Sequence, residues 1–167
     1  KLRLFVIDLS WRGYMQGPDV LKILKNKYIN HLYHANTVTT SCTFLQLGGL
    51  ASRGCADDLK LPQTPQKSDG DDKKWGIWYD VFLDTVDIHY RTRNPNEYGS
   101  VLFELDSEIL GSLPLGSEVF VTKSNPIHWK LEESESARMF TSAEELQSGL
   151  IPGEFAQMLM IRTPGGI

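Results

Sequence analysis

Three carboxylates stand in the spacing Asp80-x-x-x-Asp84-x-x-Asp87, with His89 two residues on. Acidic groups in that number hold divalent cations in metal-dependent nucleases, so cleavage of a phosphodiester is the first chemistry to weigh. No E-x-K follows in the next strand-like run, and Asp80 and Asp84 sit beside Val81 and Leu83 as the polar positions of a half-buried strand do. An acidic strand edge is the simpler reading. His31 and His34 are three apart in an extended segment, where they would not share a face, and there is no H-E-x-x-H or C-x-x-C pair. No zinc or other metal site is expected. The chain also lacks a G-x-x-x-x-G-K-[ST] loop, a G-x-G-x-x-G turn and a G-x-S-x-G elbow.

Three segments remain. One runs Leu32-Tyr33-His34-Ala35-Asn36-Thr37 and leads through a helix-like stretch to Gly48-Gly49-Leu50-Ala51-Ser52-Arg53. The second is Asp80 to Leu83 followed by His89-Tyr90-Arg91-Thr92-Arg93-Asn94. The third is Leu150 to Arg162, in which the single carboxylate Glu154 enters an apolar strand-like run.

The elements that must position these segments can be read from periodicity. Strands are expected at Leu2–Asp8, Leu32–Asn36, Ile77–Leu83, Ser100–Leu105, Glu118–Thr122 and Gln157–Arg162. Pro18-Asp19 opens a helix over Val20–Lys27. Thr37–Leu47 carries Val38, Cys42 and Leu45 at helical spacing and is stopped by Gly48-Gly49. Shorter helical pieces are expected at Ser107–Leu113 and Ser142–Ser148. Cys55–Lys74, with two prolines and a charged run, reads as a long mobile loop. The class is α+β, with a mixed or antiparallel sheet built mostly from the second half. A basic strand–helix segment, residues 1–31, precedes a catalytic region, residues 32–167, within one domain overall.

Composition narrows the class. The 167 residues are 41% hydrophobic and 23% charged, as in an ordinary globular domain. The two cysteines, Cys42 and Cys55, suit reduced thiols in the cytoplasm. No apolar run reaches the length of a membrane span. The net charge of −4 is unevenly spread. Residues 1–60 hold 8 basic and 4 acidic groups, a net +4, residues 61–100 hold 5 and 7, and residues 101–167 hold 4 and 10. A mildly acidic total therefore does not exclude a nucleic-acid partner.

The order of the three segments resembles the ADP-ribosyltransferase superfamily: a strand with His, a middle region of cofactor contacts, and a late strand headed by a catalytic Glu. Within it the chain is most similar to the DarT-like nucleic-acid ADP-ribosyltransferase toxins, over roughly residues 32–163. His34 to Ser52 matches their H-x-x…helix…G-L-x-S opening. Val101 to Asp106, Leu110 and Val119-Phe120-Val121-Thr122-Lys123-Ser124-Asn125 resemble their strand, aspartate and V-F-x-T-x-x-N segment. The family's Thr two after the His is Asn36 here, and both Arg91 and Arg93 stand where the family has one arginine.

The resemblance implies a split mixed or antiparallel sheet core with short helices, and NAD+ as cofactor. Loss of nicotinamide leaves an oxocarbenium-like ribose, which a carboxylate stabilises while taking the proton of an incoming base; Glu154 is the residue for that role. His34 would donate a ring N–H to the adenosine ribose, with Asn36 and Thr37 beside it. Arg91 or Arg93 would clamp the pyrophosphate. Tyr90 would stack on nicotinamide, with Tyr79 and Tyr98 as alternatives.

A transferase acting on a base needs that base unstacked. Of Trp75, Trp78 and Trp129, Trp75, with Lys73 and Lys74, is the better placed to stack on unpaired bases, and Trp78 in a strand is expected in the core. Lys25 and Lys27 of the basic first third would meet phosphate. The resemblance thus implies a cytoplasmic toxin of a toxin–antitoxin or phage-defence system, acting on single-stranded DNA or RNA and restrained by an antitoxin protein, with no membrane association. The rival readings are a protein-modifying ADP-ribosyltransferase or NAD+ glycohydrolase, a nuclease toxin using Asp80, Asp84 and His89, and a non-catalytic binding module.

Overall fold

The computed structural model describes residues 13–91 and 99–164. The expected strand Leu2–Asp8 and the candidates Arg93 and Tyr98 lie outside them. Helix α1 (Gly17–Asn26) begins with Pro18 in its first turn and turns Val20, Leu21, Ile23 and Leu24 inward. Strand β1 (His31–Asn36) follows, then α2 (Val38–Leu47), α3 (Arg53–Asp58) and α4 (Asp69–Trp75). Strand β2 (Val81–Leu83), the single turn α5 (Ile88–Arg91) and β3 (Val101–Asp106) complete the first half of the sheet structure. A 3-10 helix (Ser107–Ser112), β4 (Glu118–Val121), a 3-10 turn (Pro126–His128), α6 (Glu135–Arg138), α7 (Ala143–Gly149) and β5 (Leu159–Arg162) close it.

The fold is α+β, and every strand pairing among the described residues is antiparallel. β1 pairs with β3, placing His34 opposite Phe103 and Tyr33 opposite Glu104. A second sheet has the order β2-β5-β4. The two sheets meet at one bridge, where Tyr33 and Asp84 exchange backbone hydrogen bonds of 2.9 and 2.8 Å.

Alternation along β4 and β5 builds two apolar layers. Val119, Val121, Leu159 and Ile161 face the main core with α1, α7 and Leu32. Phe120 and Met160 face the other way, with Ile77, Trp129 and Met139. The second sheet therefore lies between α1 and the tryptophans.

The segment expected to be a mobile loop is ordered. Residues 53–58 and 69–75 are helical, and the chain between them is strapped across α2. Thr37 Oγ1 lies 2.7 Å from Thr64 Oγ1, Thr64 N–H donates to Thr40 Oγ1 at 3.0 Å, and Thr43 Oγ1 donates to Pro62 O at 2.5 Å. Arg53 pairs with Asp69, its Nε 2.6 Å from Oδ1 and its Nη2 2.8 Å from Oδ2, and also donates to Thr64 O.

That strap inverts the expected face of α2. Val38 and Leu45 are 59% and 71% exposed and Cys42 is exposed too, while Thr40, Ser41, Thr43 and Phe44 are buried. The threonines face inward because the strap supplies their hydrogen-bond partners. β2 is shorter than expected because residues 77–80 form a turn, Asp80 N–H donating to Ile77 O.

Candidate functional site

β1 carries the first group of candidates, and its side chains bond to one another. His34 Nδ1 lies 2.7 Å from Phe82 O. A carbonyl only accepts, so Nδ1 carries the proton and the neutral ring leaves Nε2 as an acceptor. Asn36 Nδ2 donates to that Nε2 at 3.2 Å, and Asn36 Oδ1 accepts from Thr37 N–H at 2.9 Å. Burial pushes the His34 imidazole below its ordinary value, with the Phe82 bond acting in the opposite direction. The rings of Phe44 and Phe103 flank it at centroid distances of 5.5 and 6.5 Å. The ring N–H assigned from the sequence to the adenosine ribose is thus engaged by Phe82, and His34 joins β1 to β2. Thr37 caps α2 and meets Thr64.

α5 connects this group to the others. Asp87 caps it, its Oδ1 accepting from His89 N–H at 2.8 Å. The His89 ring bonds Gly99 O at 2.9 Å. Gly99 has φ +100°, and a Cβ there would lie 2.0 Å from the Asn36 carbonyl carbon, so only glycine brings this backbone against the Asn36–Thr37 peptide. At the other end of α5, Arg91 Nη2 lies 3.7 Å from the Cβ position of Gly153, the residue before Glu154.

The Glu154 turn is rigidly built. Glu154 N–H donates to Ile151 O and Gln157 N–H to Glu154 O. The buried Gln157 side chain accepts from Ile151 N–H at 2.8 Å and donates to Gly149 O at 3.1 Å. Thr122 Oγ1 donates to Ala156 O at 2.7 Å and accepts from Met158 N–H at 2.9 Å, which fixes the chain entering β5. Glu154 itself is exposed, and among the described residues its side chain accepts one bond, from Ala156 N–H at 3.3 Å. Tyr90 is 91% exposed and Arg91 is exposed. Among the described residues neither Arg91 nor Glu154 forms an ion pair.

Sequence reasoning weighs Asp84 as a metal ligand or, more simply, as part of an acidic strand edge, and passes over Thr85. These two lead from β2 into α5. Asp84 Oδ1 and Thr85 Oγ1 are buried and have no hydrogen-bond partner among the described residues. Burial alone pushes the Asp84 carboxyl up to about 7. Both atoms lie where β2 leads into α5, and unpartnered buried polar groups of this kind mark a place where a structural change or a bound group has hydrogen bonds to gain. The signal that could have found them is the polar pair Asp84-Thr85 directly after an apolar strand.

The other acidic residues are engaged elsewhere. Asp80, 2% exposed, receives Arg162 Nε at 2.6 Å and Nη2 at 3.0 Å. Among the described residues no group of three His, Cys, Asp or Glu side chains is arranged to hold a metal ion. Tyr79 donates to Asp58 at 3.0 Å.

The five candidates for nucleic acid do not share one surface. Trp75 meets Trp129 edge-on at 6.0 Å, with Lys74 Nζ 4.4 Å from its ring centre, and Lys73 Nζ lies 4.2 Å over Trp78. Lys25 and Lys27 belong to α1 and its C-cap, on the other side of the second sheet, and Lys25 pairs with Glu108. The alternation of β4 and β5 that puts α1 on one face puts Trp75 on the other.

Comparison with protein-family models, curated proteins and solved structures finds no match to this chain. No described helix is long and apolar enough to cross a membrane.

Proposed function

We propose that the chain is an NAD+-dependent ADP-ribosyltransferase that modifies a base of single-stranded DNA or RNA, with Glu154 as its catalytic residue. The observation that carries this reading is α5. That one helical turn is tied through His89 and Gly99 to Asn36 and Thr37, and it lays Arg91 against the turn bearing Glu154. α5 thus links three segments distant in sequence, and among the described residues its Arg91 has no ion-pair partner while Glu154 is exposed.

The groups left without partners fit a dinucleotide. Arg91 suits phosphate oxygens. Asp84 Oδ1 and Thr85 Oγ1 suit ribose hydroxyls. NAD+ supplies the ADP-ribosyl group, its glycosidic electron pair leaving with nicotinamide. Glu154 stabilises the positive charge that develops on the ribose. It then takes the proton of the acceptor N–H as the new bond to the ribose forms. His34 and Asn36 act by holding the end of β1 against β2. The nucleic acid approaches on the face of Trp75, Lys73 and Lys74. The resemblance of the sequence to DarT-like toxins supports the acceptor class, a toxin role in the cytoplasm and an antitoxin partner.

The experiment is nicotinamide release from NAD+ by the purified chain in the presence of separate DNA, RNA and protein pools. Release with single-stranded nucleic acid that is lost in Glu154→Gln supports the proposal. Release with protein or water alone favours the protein-modifying or glycohydrolase alternative, and no release with any acceptor refutes both.

A further inference from the structure

On the face of the second sheet away from α1 is a cavity of about 180 Å³, lined by Trp75, Trp129, Phe120, Met160, Glu135 and Arg138 among others. Aromatic and apolar side chains share its walls with an equal measure of polar surface, and its two charged side chains, Glu135 and Arg138, lie on α6. Arg138 is laid over both indoles, its guanidinium carbon 4.5 Å from the Trp75 ring centre and 5.6 Å from that of Trp129. It is anchored there by donating to Lys130 O and by Glu133 at 4.0 Å. Arg138 Nε is nevertheless buried with no hydrogen-bond partner among the described residues, and Glu135 is in the same position. Its Oε1 is buried and has no hydrogen-bond partner among the described residues. A carboxylate oxygen and a guanidinium N–H withdrawn from water without partners are both costly, so the ligand that suits the cavity brings N–H or O–H groups together with an acceptor.

The surroundings restrict that ligand. Arg138 and Lys74 both stand against Trp75, so a cationic guest would meet two cations. Glu135 opposes an anion inside the cavity. What fits is a flat, neutral ring with donors on its edge and any negative charge outside, toward Lys74. The volume suits one heterocyclic base and not a dinucleotide. A carboxylate is satisfied best by two adjacent donors. Guanine presents them, as N1–H and the exocyclic amino group. Adenine and cytosine place an acceptor beside their amino group, and uracil flanks its one N–H with carbonyls.

We infer that the cavity between Trp75, Trp129 and α6 is a binding site for an unpaired guanine base, with Glu135 reading its Watson–Crick edge and Arg138 and the indoles holding its ring. Neither Glu154 nor Arg91 is among the residues that line it. Its test reads binding alone, so its failure and the failure of the transferase proposal are separate results.

The test is tryptophan-fluorescence titration of the full chain with guanosine, inosine, adenosine and uridine monophosphates. GMP should quench with saturation. IMP, which lacks the exocyclic amino group, should bind about tenfold more weakly, and AMP and UMP more weakly still. Glu135→Gln should weaken GMP by about tenfold and remove the preference over IMP. The comparison of the four nucleotides on the unaltered chain stands even if the variant fails to fold. Absence of saturable quenching by GMP, equal affinity for GMP and AMP, or unchanged GMP affinity in a folded Glu135→Gln would overturn the inference.

Discussion

The imidazole of His34 donates from Nδ1 to the main-chain carbonyl of Phe82, 2.7 Å away, and so ties one sheet to the other. The same ring accepts from Asn36, whose carbonyl oxygen receives Thr37 N–H at the start of α2. His34 is therefore a positioning residue for the end of β1.

Its replacement should be felt in stability before activity. His34→Ala leaves Phe82 O and Asn36 Nδ2 without partners and opens space between Phe44 and Phe103, a loss of about 2–4 kcal/mol. His34→Gln, which can still donate to Phe82 O, should recover part of it. Denaturant unfolding of the two variants decides; equal stability of His34→Ala and the parent contradicts the latch.

The Arg53–Asp69 pair should hold the strap over α2. Arg53→Lys keeps the charge but loses the two-point contact, and should cost about 1–3 kcal/mol. Hydrogen exchange should rise in residues 59–68 and stay unchanged in β4 and β5. Uniform exchange across the chain would show that the strap contributes nothing local.

Asp84 and Asp72 give the fold a dependence on pH. Burial pushes their carboxyls up to about 7 and about 6, above the unfolded value near 4. The native state then binds more protons than the unfolded chain between those values, so stability falls as pH rises from about 4 to 7. His34 acts oppositely: its lowered value means stability is lost as pH falls below about 6.5. Asp84→Asn should raise the melting temperature at pH 8 and leave it little changed at pH 4. A variant less stable than the parent at pH 8 would show that the ionised carboxylate is favoured where it lies.

Charge reversal separates the two basic surfaces. Lys73→Glu with Lys74→Glu should weaken binding of single-stranded nucleic acid and lower its salt slope by about two. Reversal at Lys22, Lys25 and Lys27 on α1 should leave both unchanged. The opposite pattern would place the nucleic acid on α1.

Much of the framework was legible because periodicity reports it directly. α1, β1, β3, β4 and β5 fall within a few residues of where alternation and the Pro18 start signal put them. α2 was found by its boundaries and misread by its face, because Val38, Cys42 and Leu45 follow helical spacing while the threonines carry the buried bonds. α3 and α4 were missed since neither can be told from a charged loop without Arg53 reaching Asp69 across the intervening chain. For the candidate site, the sequence names Glu154, Arg91, Asn36 and Thr37 but not the contacts that α5 makes on either side. Those contacts are made by His89 and Gly99, whose meeting depends on tertiary approach, and the burial of Asp84 and Thr85 is equally a product of the fold. Lys25 and Trp75 were grouped by charge and aromaticity, and the alternation of β4 and β5 sends them to opposite faces.

The most direct test of the central claim is mass spectrometry of single-stranded DNA and RNA after incubation with the chain and NAD+. Nucleic acid heavier by one ADP-ribose with the parent chain, and unmodified with a folded Glu154→Gln, is the predicted result. Unmodified nucleic acid with the parent chain, or the same product from Glu154→Gln, would contradict the account.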